Sequence, residues 1–293
     1  MSPVSSDSTV QDFVVKEGEG ASVIADKLAQ AKLIRSDFAF KLELKLTGDA
    51  SKLIPGDFNI APNMTVSEVI QTLSQAPDDK KVTLLEGWRD EEVAEKLNTE
   101  LGINTEDFLK QAKQGYMFPD SYQFDQKTTV ADVVTTLRNN FDQKYTPELQ
   151  SQIKALGLTP DQGVILASIV EREARTDSVR QKVASILLKR FKIGMALDVD
   201  STLQYILGYS KEEGTWWRSA ISDDDKKINS SYNTYLNAGL PPTPICNPSL
   251  SSLEAVAAAD PSTPYLYYYH DSKGNSYYAK TLDEHNANVA NHP

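Results

Sequence analysis

The sequence of 293 residues predicts an α+β protein, in which a small βα module precedes a larger mixed α/β domain with a central helical part and a C-terminal β-hairpin. Three observations support this fold class. A pattern of strand, glycine turn and helix repeats in the first third of the chain, helical periodicity and capping signals dominate the middle, and two tyrosine-rich runs flank a turn near the end.

Composition narrows the class of protein. With 40% hydrophobic residues the chain is typical of globular domains, and its length suits two of them. The 41 acidic side chains outnumber the 30 basic ones, and the resulting net charge of −11 argues against a nucleic-acid partner. The single cysteine, Cys246, excludes an intramolecular disulfide and a cysteine-based metal site, and three histidines make a histidine-rich one unexpected. We therefore expect neither a metal nor another cofactor. No apolar run reaches the roughly 20 residues of a membrane span.

The prediction of an N-terminal module is based on an internal repeat in the sequence. Glu17-Gly18 precedes Ile24–Leu28, and Glu86-Gly87 precedes Val93–Leu97, with 69 residues between equivalent positions. Each copy follows a β-rich run, so the unit is predicted to be strand, turn and helix. A weaker third copy spans 58–73, and the segment 37–46 suits either helix or strand. Residues 11–76 are thus expected to fold as β-α-α-β-α.

These patterns divide the chain. Residues 1–10 are expected to be a disordered tail or the cut edge of a longer chain. Residues 11–76 form the small module, and residues 77–293 form the second domain. Within the second domain, 82–125 contains a strand, helices and an aromatic loop, and 126–293 contains the core.

Helix signals are clearest in the second domain. Thr159, Pro160 and Gln162 form a capping box with proline at the first helical position, and the predicted helix continues to Ala174. Three further helices are predicted at 130–145, at 178–192 and from an Asn247 cap to residue 259. The predicted hairpin pairs residues 265–269 with 276–280 across a turn, and Thr281 then caps a last helix.

Glu173 stands out on the Thr159 helix. Ile165, Ile169 and Val170 belong to an apolar stripe, and Glu173 falls near the middle of it, while Glu171 points almost the opposite way. Desolvation raises the pKa of a carboxyl group, which a general acid needs at neutral pH. Glu173 could instead pair with an arginine or lie at the wet end of the helix. It is nevertheless the leading candidate for acid–base chemistry.

Other candidates carry weaker signals. Asp198 and Asp200, in a predicted loop or strand, have a spacing seen in metal chelation, but loop aspartates more often form caps and turns. The proline-rich segment 239–248 follows Tyr232–Tyr235, and this combination suits either a rigid binding groove or a plain connector. For the tyrosine-rich hairpin, packing of an edge strand is expected rather than ligand binding.

Taken in order along the chain, these motifs resemble a known family. The matching segments are 85–87 (LEG), 115–122 (GYMFPDSY), 167–173 (ASIVERE), 183–185 with Arg190, 193–195 (IGM), 232–235 (YNTY), 239–242 with 247–248, 265–267 and 284–286. The sequence is similar to the endolytic murein transglycosylases of the MltG/YceG-like family over nearly all of the chain after residue 10.

The resemblance implies a LysM-like module at 11–76 and a YceG-like catalytic domain at 77–293. It places the catalytic glutamate at Glu173, the residue that the helical wheel also selects. The family pattern Leu-Gln-x-Asp-Pro-Thr is changed here, since Asp198 replaces Gln and Ser201 replaces Pro, while Asp200 and Thr202 keep it. The expected supporting or substrate-binding residues are Glu171, Asp198, Asp200, Thr202, Asn233, Tyr235, Asp120 and Tyr122.

The reaction implied is cleavage of the β-1,4 bond after N-acetylmuramic acid in nascent glycan strands, leaving a 1,6-anhydro end and using one glutamate as acid and then as base. The resemblance also implies an N-terminal membrane anchor that this chain lacks, with the catalytic domain on the extracytoplasmic side of the cell membrane. Peptidoglycan strands are the expected partner, and peptidoglycan synthases are a further one that the resemblance allows. Three alternatives stay open: a non-catalytic LysM-type scaffold, a hydrolase of the same bond, and a metal-dependent enzyme using Asp198 and Asp200.

Overall fold

The computed structural model describes residues 3–75, 80–125 and 127–293, and in these ranges it contains twelve α-helices and three two-stranded sheets. The chain forms two compact units. The first comprises Met1–Lys81 and Gln123–Lys127, and the second comprises Val82–Tyr122 and Thr128–Pro293. The predicted domain boundary between 76 and 77 lies outside the described residues. The fold is mixed α/β, as the sequence predicts.

The first unit has the predicted order β-α-α-β-α. Its elements are β1 (Gln11–Val15), α1 (Ala21–Gln30), α2 (Asp37–Thr47), β2 (Gly56–Ile60) and α3 (Val66–Leu73), with a 3-10 turn at Asp49–Ser51. Strands β1 and β2 are antiparallel, with Phe13 opposite Phe58, and both rings join one buried core. The assignment of this unit as LysM-like stays a prediction.

The ambiguous segment 37–46 is helical in the structure. The Ser36 hydroxyl accepts a hydrogen bond from the Ala39 amide at the start of α2, and Gly48 ends the helix at a φ of +74°. Phe40 and Leu44, four residues apart, are buried on one face. The caps at both ends decide for helix, and Phe40 and Leu44, about one helical turn apart, form its buried face.

The internal repeat is present in the structure as predicted. Gly18 and Gly87 both adopt a left-handed backbone, with φ of +82° and +76°. Each follows a strand, β1 or β3 (Lys80–Thr83), and each precedes a helix, α1 or α4 (Asp90–Leu101). Both turns thus use a conformation that glycine adopts without a steric cost.

The second unit is mostly helical. After α4 come α5 (Thr105–Gln111), β4 (Ser121–Phe124), α6 (Val130–Lys144), α7 (Pro147–Ala155), α8 (Pro160–Glu173), α9 (Asp177–Lys192), α10 (Asp200–Leu207), a 3-10 turn (Asp225–Lys227), α11 (Leu250–Ala257), β5 (Tyr267–His270), β6 (Ser276–Ala279) and α12 (Leu282–Asn291). Strand β3 pairs with β4, and β5 pairs with β6 as the predicted hairpin.

Helix α8 lies at the centre of this unit. Its predicted capping box is present, and every residue from Gly163 to Val170 is buried. The prediction of a single apolar stripe on this helix was therefore wrong, because α7, α9, α10 and α11 all pack against it. A helix enclosed in this way carries its two C-terminal glutamates into the protein rather than toward bulk water.

Two other local predictions need correction. Ser249, and not Asn247, caps α11, since its hydroxyl accepts from the Ser252 amide. The segment at Asp200, predicted as loop or strand, begins helix α10. Thr281 caps α12 as predicted.

The buried Asn247 side chain joins three distant segments instead. Its Oδ1 accepts hydrogen bonds from the Gly115 and Met117 amides, both at 2.9 Å. Its Nδ2 donates to the Trp88 carbonyl at 3.1 Å and to Asp90 Oδ1 at 2.9 Å. Because all four contacts satisfy buried polar groups, Asn247 fixes the positions of the motifs at 85–88 and 115–122.

Among the described residues, no single helix has the length and hydrophobicity that crossing a bilayer requires. Helices α7 and α8 reach those criteria only when taken together, and they are bent by 89° at the break between them.

Candidate active site

Glu173 is the last residue of α8, and two hydroxyl groups hold its carboxyl group. The Ser201 hydroxyl, in the first turn of α10, donates to Glu173 Oε1 at 2.6 Å. The Tyr268 hydroxyl, on β5, donates to Oε2 at 3.1 Å. The backbone leaves the helix at Ala174, with φ of −137° and ψ of 135°. Both carboxyl oxygens are thereby oriented by residues from other elements.

The environment of Glu173 favours its protonated form. Burial raises the pKa of its carboxyl group above the ordinary value of 4.5, and the hydrogen bonds from Ser201 and Tyr268 oppose this, while the negative charge of Asp200 adds to it. Burial and the neighbouring Glu173 also raise the pKa of the Tyr268 hydroxyl well above its usual range, so that this group stays a donor. The site therefore contains a carboxyl group that can hold a proton at a pH where exposed glutamates have lost it.

A polar cleft opens on both sides of this carboxyl group. It has two parts of about 560 Å³ each, and Glu173, Asp200 and His270 line both. We call the first part the tyrosine limb; its other lining residues include Tyr235, Tyr267, Tyr268, Tyr269, Asp198, Arg190 and His285. We call the second part the arginine limb; its other lining residues include Arg172, Arg175, Thr176, Gln204, Ser219 and Ser272. An extended ligand could thus run past Glu173 in both directions.

Glu171, one of the expected supporting or substrate-binding residues, is buried among partners outside the cleft. Its side chain is only 5% exposed, and Oε1 accepts from Arg180 at 3.2 Å. Oε2 accepts from the Ser249 amide at 2.8 Å and from the Ser249 hydroxyl. Glu171 therefore ties the start of α11 to α8 and lines neither limb of the cleft.

The predicted pair Asp198 and Asp200 does reach the cleft. Asp198 has a left-handed φ of +51° and lies 3.6 Å from the Arg190 guanidinium. Burial raises the pKa of Asp198, and Arg190 opposes that shift. Asp200 Oδ1 accepts a 2.6 Å hydrogen bond from the Tyr235 hydroxyl. Both aspartates therefore have partners of the protein's own within the tyrosine limb.

Thr202 and Asn233 are buried residues that stabilise the part of the tyrosine limb formed by Asp200 and Tyr235. Thr202 is fully buried, and its hydroxyl lies 2.9 Å from the Thr234 hydroxyl. The buried Asn233 amide donates to the carbonyls of Lys226 and Ile228, and its oxygen accepts from the Tyr235 amide. These residues line neither limb, and they order the loop that presents Tyr235.

Asp120 and Tyr122 lie away from the cleft. The Asn140 amide donates to Asp120 Oδ2 and to the Tyr122 hydroxyl, at 3.0 and 2.9 Å. The Tyr122 hydroxyl donates to the Phe118 carbonyl. This cluster connects β4 with α6, and the structure does not bring it together with Glu173.

Sequence reasoning missed Ser201 and Tyr268, the two donors to Glu173. In the sequence, Ser201 stands out only as a departure from the family pattern, and the tyrosines of the hairpin indicate packing of an edge strand. The run Tyr267, Tyr268 and Tyr269 could have indicated such a donor. Successive side chains of a strand point to opposite faces, so at least one of three consecutive tyrosines lies on the inner face. Within the described residues, no group of three or more histidine, cysteine, aspartate or glutamate side chains could hold a metal ion.

Three comparisons place these features among known proteins. The model of the YceG-like family matches residues 13–291. An endolytic murein transglycosylase of Bacillus subtilis (strain 168) is 30% identical over 98% of this chain and 86% of its own length. One of Streptococcus pneumoniae (strain D39) is 24% identical over 95% of this chain, which spans only 57% of that relative. A crystal structure of a yceG-like protein from Listeria monocytogenes is 24% identical, with a TM-score of 0.63 over 95% of this chain and 99% of its own.

The fold and the cleft define a protein with a buried carboxyl group, held by two hydroxyl donors, in an open polar groove. The family model covers nearly the whole of this chain, and the Listeria structure shares its fold. The protein belongs to the YceG-like family, as the sequence motifs predict.

Proposed function

We propose that this protein cleaves the β-1,4 bond between N-acetylmuramic acid and N-acetylglucosamine within murein strands, and that Glu173 serves as acid and then as base to give a 1,6-anhydro end. The enzyme class rests on the relatives from Bacillus and Streptococcus, which are endolytic murein transglycosylases matching at 30% and 24% identity over nearly the full chain. The chain is accordingly a lytic murein transglycosylase.

One observation carries the proposed chemistry: the carboxyl group of Glu173 is desolvated, is held by two hydroxyl donors and lies where the two limbs meet. A protonated Glu173 donates its proton to the glycosidic oxygen as the bond breaks. The resulting carboxylate then removes the proton from the C6 hydroxyl of the N-acetylmuramic acid whose glycosidic bond has broken. The C6 oxygen bonds to C1 of that sugar and closes the anhydro ring. Since that acceptor is part of the substrate, proximity replaces a protein nucleophile.

The open shape of the cleft supports cleavage within a strand. Because Glu173 lies between two limbs of similar volume, sugars on both sides of the scissile bond have space. Aromatic rings of the tyrosine limb offer faces on which sugar rings stack. The expected site of action is the extracytoplasmic side of the cell membrane, where murein is assembled.

Hydrolysis of the same bond is the second candidate, because Asp200 places another carboxylate in the cleft and its charge raises the pKa of Glu173. Glycoside hydrolases use two carboxylates, one of which activates water or attacks the sugar. The two reactions differ in their products, since a hydrolysed end contains one more water molecule than an anhydro end.

Digestion of purified murein, followed by mass spectrometry of the products, tests both. We expect anhydro-ended products from the native protein and a loss of about a hundredfold or more with Glu173→Gln, which keeps size but removes the titrating proton. Glu212→Gln, an exposed carboxyl outside both limbs, is the matched control and should cleave normally. Reducing ends from the native protein would establish the hydrolase instead, and undiminished cleavage by Glu173→Gln would refute the role of Glu173.

A further inference from the structure

The two limbs of the cleft differ in chemistry. Four tyrosines line the tyrosine limb. Among the described residues lining the arginine limb there is no tyrosine, phenylalanine or tryptophan, and hydroxyl, amide and guanidinium groups take their place. Stacking on sugar rings therefore suits the first limb, while the second suits a polar or charged substituent.

Arg175 is the exposed arginine of the arginine limb. It lies two residues after the end of α8 and takes part in no hydrogen bond or ion pair with the described residues. Its neighbours in sequence differ. Arg180 pairs with Glu171 and Asp177, and Arg190 donates to the carbonyls of Leu266 and Leu197. An arginine fork left open beside Glu173 is suited to a carboxylate from a ligand.

Arg172 adds a second positive charge to this limb. Its guanidinium lies 3.8 Å from the centre of the Trp217 ring, and its Nη1 makes a long contact of 3.4 Å with the Gly87 carbonyl. Its buried Nε has no hydrogen-bond partner in the part of the chain that the structure describes. Stacking on tryptophan fixes the guanidinium without neutralising it.

The acidic residues of the limb are already engaged. Asp271 accepts hydrogen bonds from the Lys273 and Asn275 amides and from the Tyr277 hydroxyl, which belong to its own hairpin. Asp200 accepts from Tyr235 on the other side of the cleft. Neither is hydrogen-bonded to an arginine, so the guanidinium of Arg175 remains available to a ligand. Arg172 is held by Trp217 and Gly87 and adds positive charge beside it.

We infer that the arginine limb binds a carboxylate carried on the lactyl arm of the muramic sugar, with Arg175 as its main partner and Arg172 beside it. This inference rests on the proposed function, since murein differs from other β-1,4-linked glycans in that arm. The carboxylate has two sources: the peptide that extends the arm, or the lactyl group itself after the peptide is removed. The limb thereby selects for murein, while the tyrosine limb binds the sugar backbone.

Steady-state cleavage of three substrates tests this assignment: strands with peptides, strands stripped by an amidase so that the lactyl carboxylate is free, and stripped strands whose carboxylates are converted to methylamides. For Arg175→Gln we expect KM to rise about three- to tenfold on a carboxylate-bearing substrate, with kcat nearly unchanged. Arg175→Glu should raise KM further, and Arg175→Lys should raise it less than Arg175→Gln does. None of the three variants should change KM on the methylamide strands.

The pattern of effects identifies the source. If KM of Arg175→Gln rises only on peptide-bearing strands, the ligand is the peptide carboxylate. If KM rises on the stripped strands, the ligand is the carboxylate of the lactyl group. Lys192→Gln, an exposed cation on α9 outside both limbs, is the control for net charge. An equal effect of Arg175→Gln on all three substrates, or none on any, would overturn the inference while leaving the proposed reaction intact. A native protein that releases no anhydro product would instead overturn the proposed function, and the inference with it.

Discussion

The Ser201 hydroxyl donates a 2.6 Å hydrogen bond to Oε1 of Glu173, although the two residues lie 28 positions apart on different helices. The Tyr268 hydroxyl donates to the other carboxyl oxygen from a third element. Burial favours the neutral acid and the two donors favour the carboxylate, and burial is the larger effect, so the pKa of Glu173 stays raised.

Removing either donor should raise the pKa of Glu173 further. Hydrogen bonds to a carboxylate stabilise its charged form, so Ser201→Ala or Tyr268→Phe favours the protonated one. The part of the pH–kcat/KM profile in which the acid loses its proton should therefore move to higher pH. Ser201→Thr, which keeps a hydroxyl group, should retain the native profile. A lower rate with an unshifted profile would mean that Ser201 only packs against Glu173.

Glu173→Gln should stabilise the fold at neutral and alkaline pH. Because the pKa of Glu173 is raised in the folded state, the native protein binds the extra proton above the ordinary value of 4.5, and its stability falls as pH rises through this range. Glutamine does not ionise, so the gain should be absent near pH 4 and grow toward pH 8. Thermal unfolding at both pH values measures it. A stability difference between the variant and the native protein that is the same at pH 4 and at pH 8 would contradict the raised pKa.

Glu171→Gln should lower stability by about 2–4 kcal/mol, because it breaks a buried ion pair with Arg180 and weakens the tie to Ser249. Denaturant unfolding measures this loss, with the exposed Glu212→Gln as the reference. Any folded fraction should retain the ability to cleave murein. Native stability combined with abolished cleavage would show instead that Glu171 takes part in the chemistry.

Gly115→Ala should cost about 2–4 kcal/mol of stability. Gly115 has a φ of +90°, and a Cβ atom there would collide with the Pro244 ring. Gly157→Ala is the matched control, because its φ is +77° but nothing lies within 4 Å of the added carbon. Denaturant unfolding gives the stability of each variant. The loss in Gly157→Ala measures the backbone strain, and the additional loss in Gly115→Ala measures the collision with Pro244. Equal losses would show that the contact with Pro244 yields at little cost.

Local patterns predicted much of the fold. The capping box at Thr159 and the glycine turns at Gly18 and Gly87 are where the sequence places them, because each depends on residues within four positions. Asn247 was assigned as a helix cap because its long-range partners, Gly115 and Asp90, are not visible in a local window. Helix α10 is not predicted, since it contains only the eight residues Asp200–Leu207 and its Val199 cap position has no capping side chain.

The site was predicted less completely than the fold. The helical wheel and the family motif both select Glu173, and the wheel turns Glu171 away from it, but neither predicts the partners of Glu171, Arg180 and Ser249. Spacing does not pair Tyr268 with Glu173, because the two residues are 95 positions apart and only the tertiary structure brings β5 to the end of α8. Asp120 and Tyr122 were chosen by motif alone, and their motif serves the packing of β4 against α6.

The hairpin donor has a consequence for biosynthesis. Tyr268 lies 95 residues after Glu173, so a growing polypeptide contains the acid long before the group that orients it. Until β5 has been synthesised, the nascent chain lacks one of the two hydroxyl groups that hold the Glu173 carboxyl group.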